Sequence, residues 1–193
     1  MKKVLCVIDM QNDFITGALR NEEGIKIIPT VKAMVEQAMK DNTTILFTRD
    51  THGTDYLNTQ EGQKLPVPHC IIGTEGHEII PELKNYTTPF PVINKSTFGT
   101  TELARFIRVV HQKIEPISEI QLVGVCTDIC VISNAILLKE AFPEIPIVIY
   151  EDACAGVTPQ SHEAALQTAR SCQIEVKRWK PVVIESQGEH LIL

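Results

Sequence analysis

Short apolar runs alternate along the chain with longer stretches in which apolar residues recur every three or four positions. Unbroken apolar runs are typical of strands buried on both faces of a parallel sheet, and the longer period is typical of amphipathic helices. Strands are predicted over 4–8, 44–48, 91–93, 120–125, 147–150 and 174–176, and helices over 31–39, 103–110, 131–141 and 161–171. This alternation predicts an α/β fold with three α/β/α layers around a central, mostly parallel, Rossmann-like sheet.

The chain has the length of a single domain, and we predict one domain over residues 1–193. Residues 51–91 carry many glycines and prolines and little periodicity, which indicates a long functional loop. The last residues, 180–193, show no pattern that predicts an element.

The charge balance narrows the class of protein. The formal net charge is -6 with 22% charged residues, so a nucleic-acid binder or a protein of anionic membrane surfaces is not expected. The apolar run after Met1 is interrupted at Asp9, too early for a secretory leader, and no run is long enough to span a membrane. A cytoplasmic protein acting on a small molecule is expected.

Polar side chains follow four of the predicted strands. Asp9 follows the first strand, Asp50 and His52 the second, Lys95 the third and Cys130 the fourth. Because ligands of open parallel sheets bind beyond the carboxyl ends of the strands, we expect these side chains to converge there.

Cys130 is the candidate nucleophile. It lies where a strand passes into a helix, and backbone N–H groups at a helix start favour a thiolate and can hold an oxyanion. A carboxylate base at Asp9 and a cation at Lys95 would complete a catalytic triad. Two structural interpretations stay open at this stage: a buried cysteine that opens a core helix, and a structural ion pair between Asp9 and Lys95.

A second cluster has the composition of a metal site. Asp50 and His52 are two residues apart and point the same way in an extended chain, His69 follows, and Glu61 lies between them. Such a mixed oxygen and nitrogen set suits Zn²⁺, with Fe²⁺ or Mn²⁺ as alternatives. The other interpretation is a polar loop without a metal.

The remaining histidines and three of the cysteines have simpler interpretations. We expect His77, His111, His162 and His190 to be solvated surface residues. The cysteines in or beside apolar runs, Cys6, Cys154 and Cys172, are expected to be small buried residues.

Five motifs give the chain a family resemblance. They occupy residues 7–14, 48–52, 68–76, 94–98 and 124–131, and they occur in the order found in isochorismatase-like cysteine hydrolases. The sequence resembles this family from about residue 3 to residue 179, and within the family it is most similar to the nicotinamidases.

The resemblance implies roles for the residues that match these motifs. Asp9, Lys95 and Cys130 would form the triad, and a cis peptide before Cys126 would direct the N–H groups of Cys126 and Cys130 to the oxyanion. It also implies that Asp50, His52 and His69 bind a metal, with Glu61 as the fourth ligand, and that Phe14 forms one wall of the substrate pocket.

The implied activity is hydrolysis of nicotinamide to nicotinate and ammonia through a Cys130 thioester, in NAD salvage. Two departures concern the substrate: the stretch 64–68 lacks the aromatic residue common in nicotinamidases, and Thr51 stands where a tryptophan is common. An amidase acting on ureido, carbamoyl or biuret-like compounds is therefore the alternative. A non-catalytic scaffold protein is the alternative from another class, and a homo-oligomer is possible.

Overall fold

The computed structural model describes residues 2–181, which form a six-stranded, wholly parallel sheet with helices on both faces. The strand order is β3-β2-β1-β4-β5-β6. The strands are β1 (Lys2–Ile8), β2 (Thr44–Asp50), β3 (Val92–Lys95), β4 (Ile117–Val125), β5 (Ile147–Ala155) and β6 (Glu175–Lys177). The α/β/α fold predicted from the sequence is confirmed.

The helices divide into two layers. Their bounds are α1 (Asn12–Ile15), α2 (Glu22–Lys40), α3 (Gln60–Lys64), α4 (Pro81–Lys84), α5 (Thr101–Lys113), α6 (Ile132–Ala141) and α7 (Pro159–Ser171). Alternate side chains of β1 point to opposite layers: Leu5 and Val7 pack in the core under α2, whereas Cys6 and Ile8 pack in the core under α5, α6 and α7. Strand β1 is thus buried on both faces, as its unbroken apolar run predicted.

Helix α2 is longer than the sequence pattern predicted. It begins at Glu22 rather than at residue 31, and the side chain of Asn21 caps it by accepting a hydrogen bond from the Gly24 amide. Gly24 and Pro29, both poor helix formers, lie within this first part and hide its periodicity. The buried residues Ile27 and Val31 hold it against the sheet.

The loop predicted over residues 51–91 is largely irregular but contains short helices. Besides α3 and α4, single 3₁₀ turns cover Tyr56–Asn58 and Glu75–His77. No helix within residues 2–181 is long and apolar enough to cross a membrane.

The sheet topology creates the site. The chain builds β1, β2 and β3 in one direction and then returns to place β4 on the other side of β1. Next to this reversal, the segments that leave the carboxyl ends of β1 and β4 diverge and open a crevice. Asp9 and Cys126 are the first residues after these two strands, so both lie at the crevice.

Candidate active site

The three residues of the predicted triad meet at the carboxyl edge of the sheet. Asp9 directly follows β1, Lys95 is the last residue of β3, and Cys130 lies in a π-helical turn, Thr127–Val131, that precedes α6. The Lys95 ammonium nitrogen lies 2.7 Å from Asp9 Oδ2 and 3.4 Å from Cys130 Sγ. All three residues are at most 5% exposed. The structure therefore brings the three side chains into contact range, while their catalytic roles stay a prediction.

Asp9 is held in place by a residue of the neighbouring strand. Thr48 Oγ1 donates a hydrogen bond of 2.6 Å to Asp9 Oδ1 and accepts one from the Asp9 amide. Burial raises the pKa of the Asp9 carboxyl above its ordinary value, although the charge of Lys95 opposes the shift. Among residues 2–181, Asp9 Oδ2 is the buried side-chain oxygen that lacks a well-directed hydrogen bond. This oxygen can accept a proton from a nearby thiol.

The Cys130 thiol is expected to carry its proton when the site is at rest. Burial raises its pKa well above the usual range, and the negative charge of Asp9 raises it further, while Lys95 lowers it. Burial therefore opposes the thiolate that the helix start was expected to favour, and the direction of the pKa shift indicates a neutral thiol at rest. A nearby base must take the proton when the sulfur attacks, which is the role predicted for Asp9.

Lys95 remains charged between these groups. Burial alone would lower its pKa, but the negative charges of Asp9 and Asp50 raise it above the usual range. The ammonium also donates a hydrogen bond of 3.1 Å to the Thr97 carbonyl. It is thus a fixed cation that orients the carboxylates around it.

The turn before Cys130 has the main-chain geometry that the family resemblance implied. The Val125–Cys126 peptide bond is cis. The Cys126 carbonyl accepts hydrogen bonds from the amides of Ile129 and Val131 at 3.1 and 3.0 Å, which closes the turn around Cys130. The use of the Cys126 and Cys130 amides as an oxyanion hole stays a prediction.

The predicted metal ligands form a compact cluster beside the triad. The ligand atoms of Asp50, His52, Glu61 and His69 all lie within 4.8 Å of one another. His52 Nε2 is 3.1 Å from Asp50 Oδ2 and 3.7 Å from Glu61 Oε1, and His69 Nε2 is 3.7 and 3.8 Å from the same two atoms. Ligand atoms about 2.1 Å from a tetrahedral ion lie about 3.4 Å apart, so these four residues fit a zinc-sized ion.

The surroundings of the cluster support this fit. His69 Nδ1 is 2.8 Å from the Val67 carbonyl and donates to it, so Nε2 faces the cluster and would be the ligand atom of a neutral ring. Gln11, fully buried, donates to the Asp50 carbonyl at 2.9 Å and accepts from the Asp50 amide at 2.7 Å. These contacts fix the main chain at one ligand and the ring orientation at another.

Asp50 connects the cluster with the triad. Its Oδ1 lies 3.3 Å from Lys95 Nζ, and its Oδ2 faces His52 and His69. Burial favours the neutral acid, but hydrogen bonds from the two histidines and the charge of Lys95 hold the pKa of Asp50 well below its usual range. The carboxylate is therefore ionised and available to a metal.

Both groups open into one cavity of about 560 Å³. Its lining includes Cys126, Cys130, Asp50, Glu61 and His69, together with the apolar side chains of Phe14, Leu19, Leu65, Phe98, Ile129 and Val157. The ring centre of Phe14 is 5.6 Å from that of His69, and its role as a wall of the substrate pocket stays a prediction. The cavity can thus hold a small molecule between the Cys130 thiol and the predicted metal ligands.

Comparison with known proteins decides the family. A sequence model of the isochorismatase domain matches residues 3–180, nearly the whole chain. The chain belongs to the isochorismatase family. This membership, together with nicotinamidase relatives, assigns it to the nicotinamidase branch of the isochorismatase-like hydrolases, enzymes that hydrolyse amide C–N bonds.

Three relatives illustrate the similarity. The nicotinamidase of Schizosaccharomyces pombe is 24% identical, with 94% of this chain and 96% of that protein aligned. The pyrazinamidase of Pyrococcus horikoshii, solved in complex with zinc, has a TM-score of 0.78 and 27% identity and covers 93% of this chain and 100% of its own. The N-carbamoylsarcosine amidase of Thermoplasma acidophilum has a TM-score of 0.74 and 26% identity, covering 96% and 99%.

Several site residues of this isochorismatase-family chain were missed from the sequence. Thr48 and Gln11 lie within the matching motifs, but their hydrogen bonds run to residues 39 positions away. Phe98, which is 45% exposed, is the last residue of a matching motif and adds to the cavity lining an aromatic side chain that the stretch 64–68 lacks. Their position within the matching motifs could have identified these residues as part of the site. Their contacts could not be predicted, because those depend on strand register.

Two expectations about isolated residues are wrong. His77 is 3% exposed rather than solvated, and its Nε2 lies within hydrogen-bonding distance of Thr51 Oγ1, at 2.9 Å. Cys172 is exposed rather than buried, because it caps the end of α7, whereas Cys6 and Cys154 are buried as predicted. His111 and His162 are half-buried, and His190 lies outside the described residues.

Proposed function

We propose that this protein is a nicotinamidase that converts nicotinamide to nicotinate and ammonia through a thioester on Cys130. The observation that carries the proposal is the shared cavity, in which Cys130 of the triad and Asp50, Glu61 and His69 of the metal cluster face the same space. A pyridine carboxamide has a ring nitrogen and an amide carbon at opposite ends, and the two clusters offer a partner for each.

The metal would be held by Asp50, His52, His69 and Glu61, and we propose zinc, with iron or manganese as alternatives. When bound, the ion supplies a Lewis acid that orients the ring nitrogen of the substrate. Zinc is present in the structure of the Pyrococcus horikoshii relative, and the donor set here is suited to the same ion.

The chemical steps use the triad. Asp9 Oδ2 takes the thiol proton as the Cys130 sulfur attacks the amide carbon, and the amides of Cys126 and Cys130 donate to the oxyanion. The C–N bond then breaks, and Asp9 returns the proton to the departing ammonia. Asp9 next takes a proton from water, which attacks the thioester and releases nicotinate, and that proton restores the thiol. Lys95 stays protonated throughout and stabilises the Asp9 carboxylate.

Steady-state ammonia release from nicotinamide tests the proposal. Replacing Cys130 with alanine should reduce kcat by roughly 10⁴-fold or more, because the nucleophile is lost. Cys172→Ala is the matched control, since Cys172 is exposed and remote in the chain, and it should keep wild-type activity. Rapid acid quenching of the wild-type reaction should trap a nicotinoyl adduct on the peptide that contains Cys130. Undiminished turnover by Cys130→Ala would end the proposal.

The alternative is an amidase for ureido or carbamoyl substrates. Two observations favour it: Leu65 lines the cavity in a stretch, 64–68, that has no aromatic residue, and Arg20 lines it with a guanidinium whose exposed partner, Glu22 at 2.7 Å, a substrate carboxylate can replace. The similarity to an N-carbamoylsarcosine amidase agrees with this. Comparing kcat/KM for nicotinamide, pyrazinamide and N-carbamoyl amino acids separates the candidates. A cytoplasmic role in NAD salvage and a homo-oligomeric state remain predictions from the sequence.

A further inference from the structure

Asn134 is a fully buried polar residue in α6, one helical turn after Cys130, and neither the motifs nor the proposed chemistry assigns it a role. Its side chain makes three hydrogen bonds. Nδ2 donates to the Cys130 carbonyl at 2.8 Å and to the Phe98 carbonyl at 3.2 Å, and Oδ1 accepts from the Thr100 amide at 3.0 Å. Both hydrogens of the amide group and its oxygen are therefore used.

These bonds join two different parts of the site. One runs within the helix to the nucleophile residue, and the other two run to the loop 96–100, which follows Lys95. The loop supplies the Thr97 carbonyl, which accepts a hydrogen bond from Lys95 Nζ, and the Phe98 side chain, which lines the cavity. Asn134 therefore contacts both the residue that carries the sulfur and the loop that orients the cation beside it.

The loop needs such an anchor because residues 96–98 are exposed. Beyond them, the loop packs closely on α6: a Cβ added at Gly99 would lie 2.7 Å from Leu137 Cδ1 and 3.3 Å from Ser133 Cβ. Asn134 fixes the loop on either side of this glycine, at Phe98 and at Thr100. Buried polar groups whose hydrogen bonds are all made hold their neighbours in one arrangement.

We propose that Asn134 is a positioning residue that fixes the loop 96–100 relative to Cys130. It thereby keeps the Lys95 ammonium and the Phe98 side chain at constant distances from the Cys130 sulfur. This inference rests on the proposed function for its turnover assay but not for its reactivity assay. It concerns the hydrogen bonds to the loop, since the bond to Cys130 alone would serve only the helix.

Two substitutions separate the loop bonds from the helix bond. In Asn134→Ser, the hydroxyl can still donate to the Cys130 carbonyl one turn earlier, as serines in helices do, but it is too short to reach the loop. Asn134→Leu has a similar size and removes all three bonds. Leu138→Ala is the control: it weakens the core under the same helix one turn later, and the hydrogen bonds of Asn134 remain.

The readouts are kcat for ammonia release and the rate at which iodoacetamide alkylates Cys130 at pH 7, in variants whose far-UV circular dichroism matches the wild type. Because small displacements of catalytic groups cost about 10²-fold, we expect kcat to fall about 10- to 100-fold in Asn134→Ser, with a smaller change in KM and about tenfold slower alkylation. Asn134→Leu should behave like Asn134→Ser, and Leu138→Ala like the wild type.

Wild-type values of both rates in Asn134→Ser would overturn the inference, because the helix bond alone would then suffice. An equal loss in Leu138→Ala would also overturn it, because instability of α6 would explain the effect. If the wild type releases no ammonia from nicotinamide, the proposed function fails. The alkylation rates then still decide the role of Asn134, because they need no substrate.

Discussion

Replacing Lys95 with methionine would leave two carboxylates at the centre of the site without their ammonium partner. Lys95 Nζ lies 2.7 Å from Asp9 Oδ2 and 3.3 Å from Asp50 Oδ1, and its side chain is fully buried. Breaking a buried ion pair by removing one partner costs about 3–5 kcal/mol, because the other charge remains without compensation. In a domain of this size the loss corresponds to a melting temperature roughly 6–20 °C lower.

A double-mutant cycle separates the catalytic interpretation of this pair from the structural one. Asp9→Asn in the Lys95→Met background removes the stranded charge, and its side-chain oxygen can still accept from Thr48. The double variant should regain about 2 kcal/mol of the lost stability. Ammonia release should nevertheless stay abolished, since an amide cannot take the thiol proton. A pair that is only structural would instead let activity return together with stability.

Chemical unfolding in urea gives the free energies, and steady-state turnover gives the activities at one fixed zinc concentration. Lys26→Met is the matched control, because Lys26 forms a surface ion pair with Glu23 at 2.7 Å. Exposed pairs of this kind contribute about 0–1 kcal/mol, so the control should change neither quantity appreciably. Substantial turnover by Lys95→Met, or by the double variant, would refute the reasoning.

Three further predictions concern single residues around the site. Glu61→Gln should weaken zinc binding at least about tenfold in a chelator competition, and unchanged affinity would remove Glu61 from the ligand set. Gly124→Ala should destabilise the protein by about 2 kcal/mol or more in urea unfolding, because φ is +116° and the new Cβ would collide with the Ile8 carbonyl oxygen. Burial lowers the pKa of His77 below 6.5, so unfolding takes up a proton and stability falls as the pH drops through that value. The melting temperature of His77→Gln should accordingly fall less than that of the wild type between pH 7 and pH 5.

The fold was predictable where burial alone sets the residue pattern. Strands β1 and β2 are buried on both faces, so their apolar runs revealed them. Strand β5 is longer than predicted and extends beyond residue 150. The polar residues Glu151 and Asp152 lie in the strand, and the buried residues Ala153–Ala155 follow them. The apolar run that predicted this strand stops before these two charged residues. Tertiary pairing with β4 therefore decided an element boundary that local composition could not.

The site was predictable to the extent that strand ends determine it. The residues at or just beyond the carboxyl ends of β1, β2, β3 and β4 must lie at one edge of a parallel sheet, and this placed Asp9, Asp50, Lys95 and Cys130 together. The groups that hold them were not predictable in the same way. Asn134, for example, contacts Phe98, which is 36 positions away in the sequence. No periodic pattern of residues predicts a contact over such a separation. Hydrogen bonds between elements depend on register and crossing geometry, which apolar spacing does not encode.

The charges of the site indicate why the triad and the metal cluster belong together. Asp9, Asp50 and Glu61 contribute three negative charges, and Lys95 contributes one positive charge, which leaves a net formal charge of −2 around a largely buried space. Uncompensated charge of that size is unfavourable away from water, and a divalent cation would balance it. Asp50 divides its two oxygens between the ammonium and the histidines, so a change in either cluster reaches the other through one carboxylate.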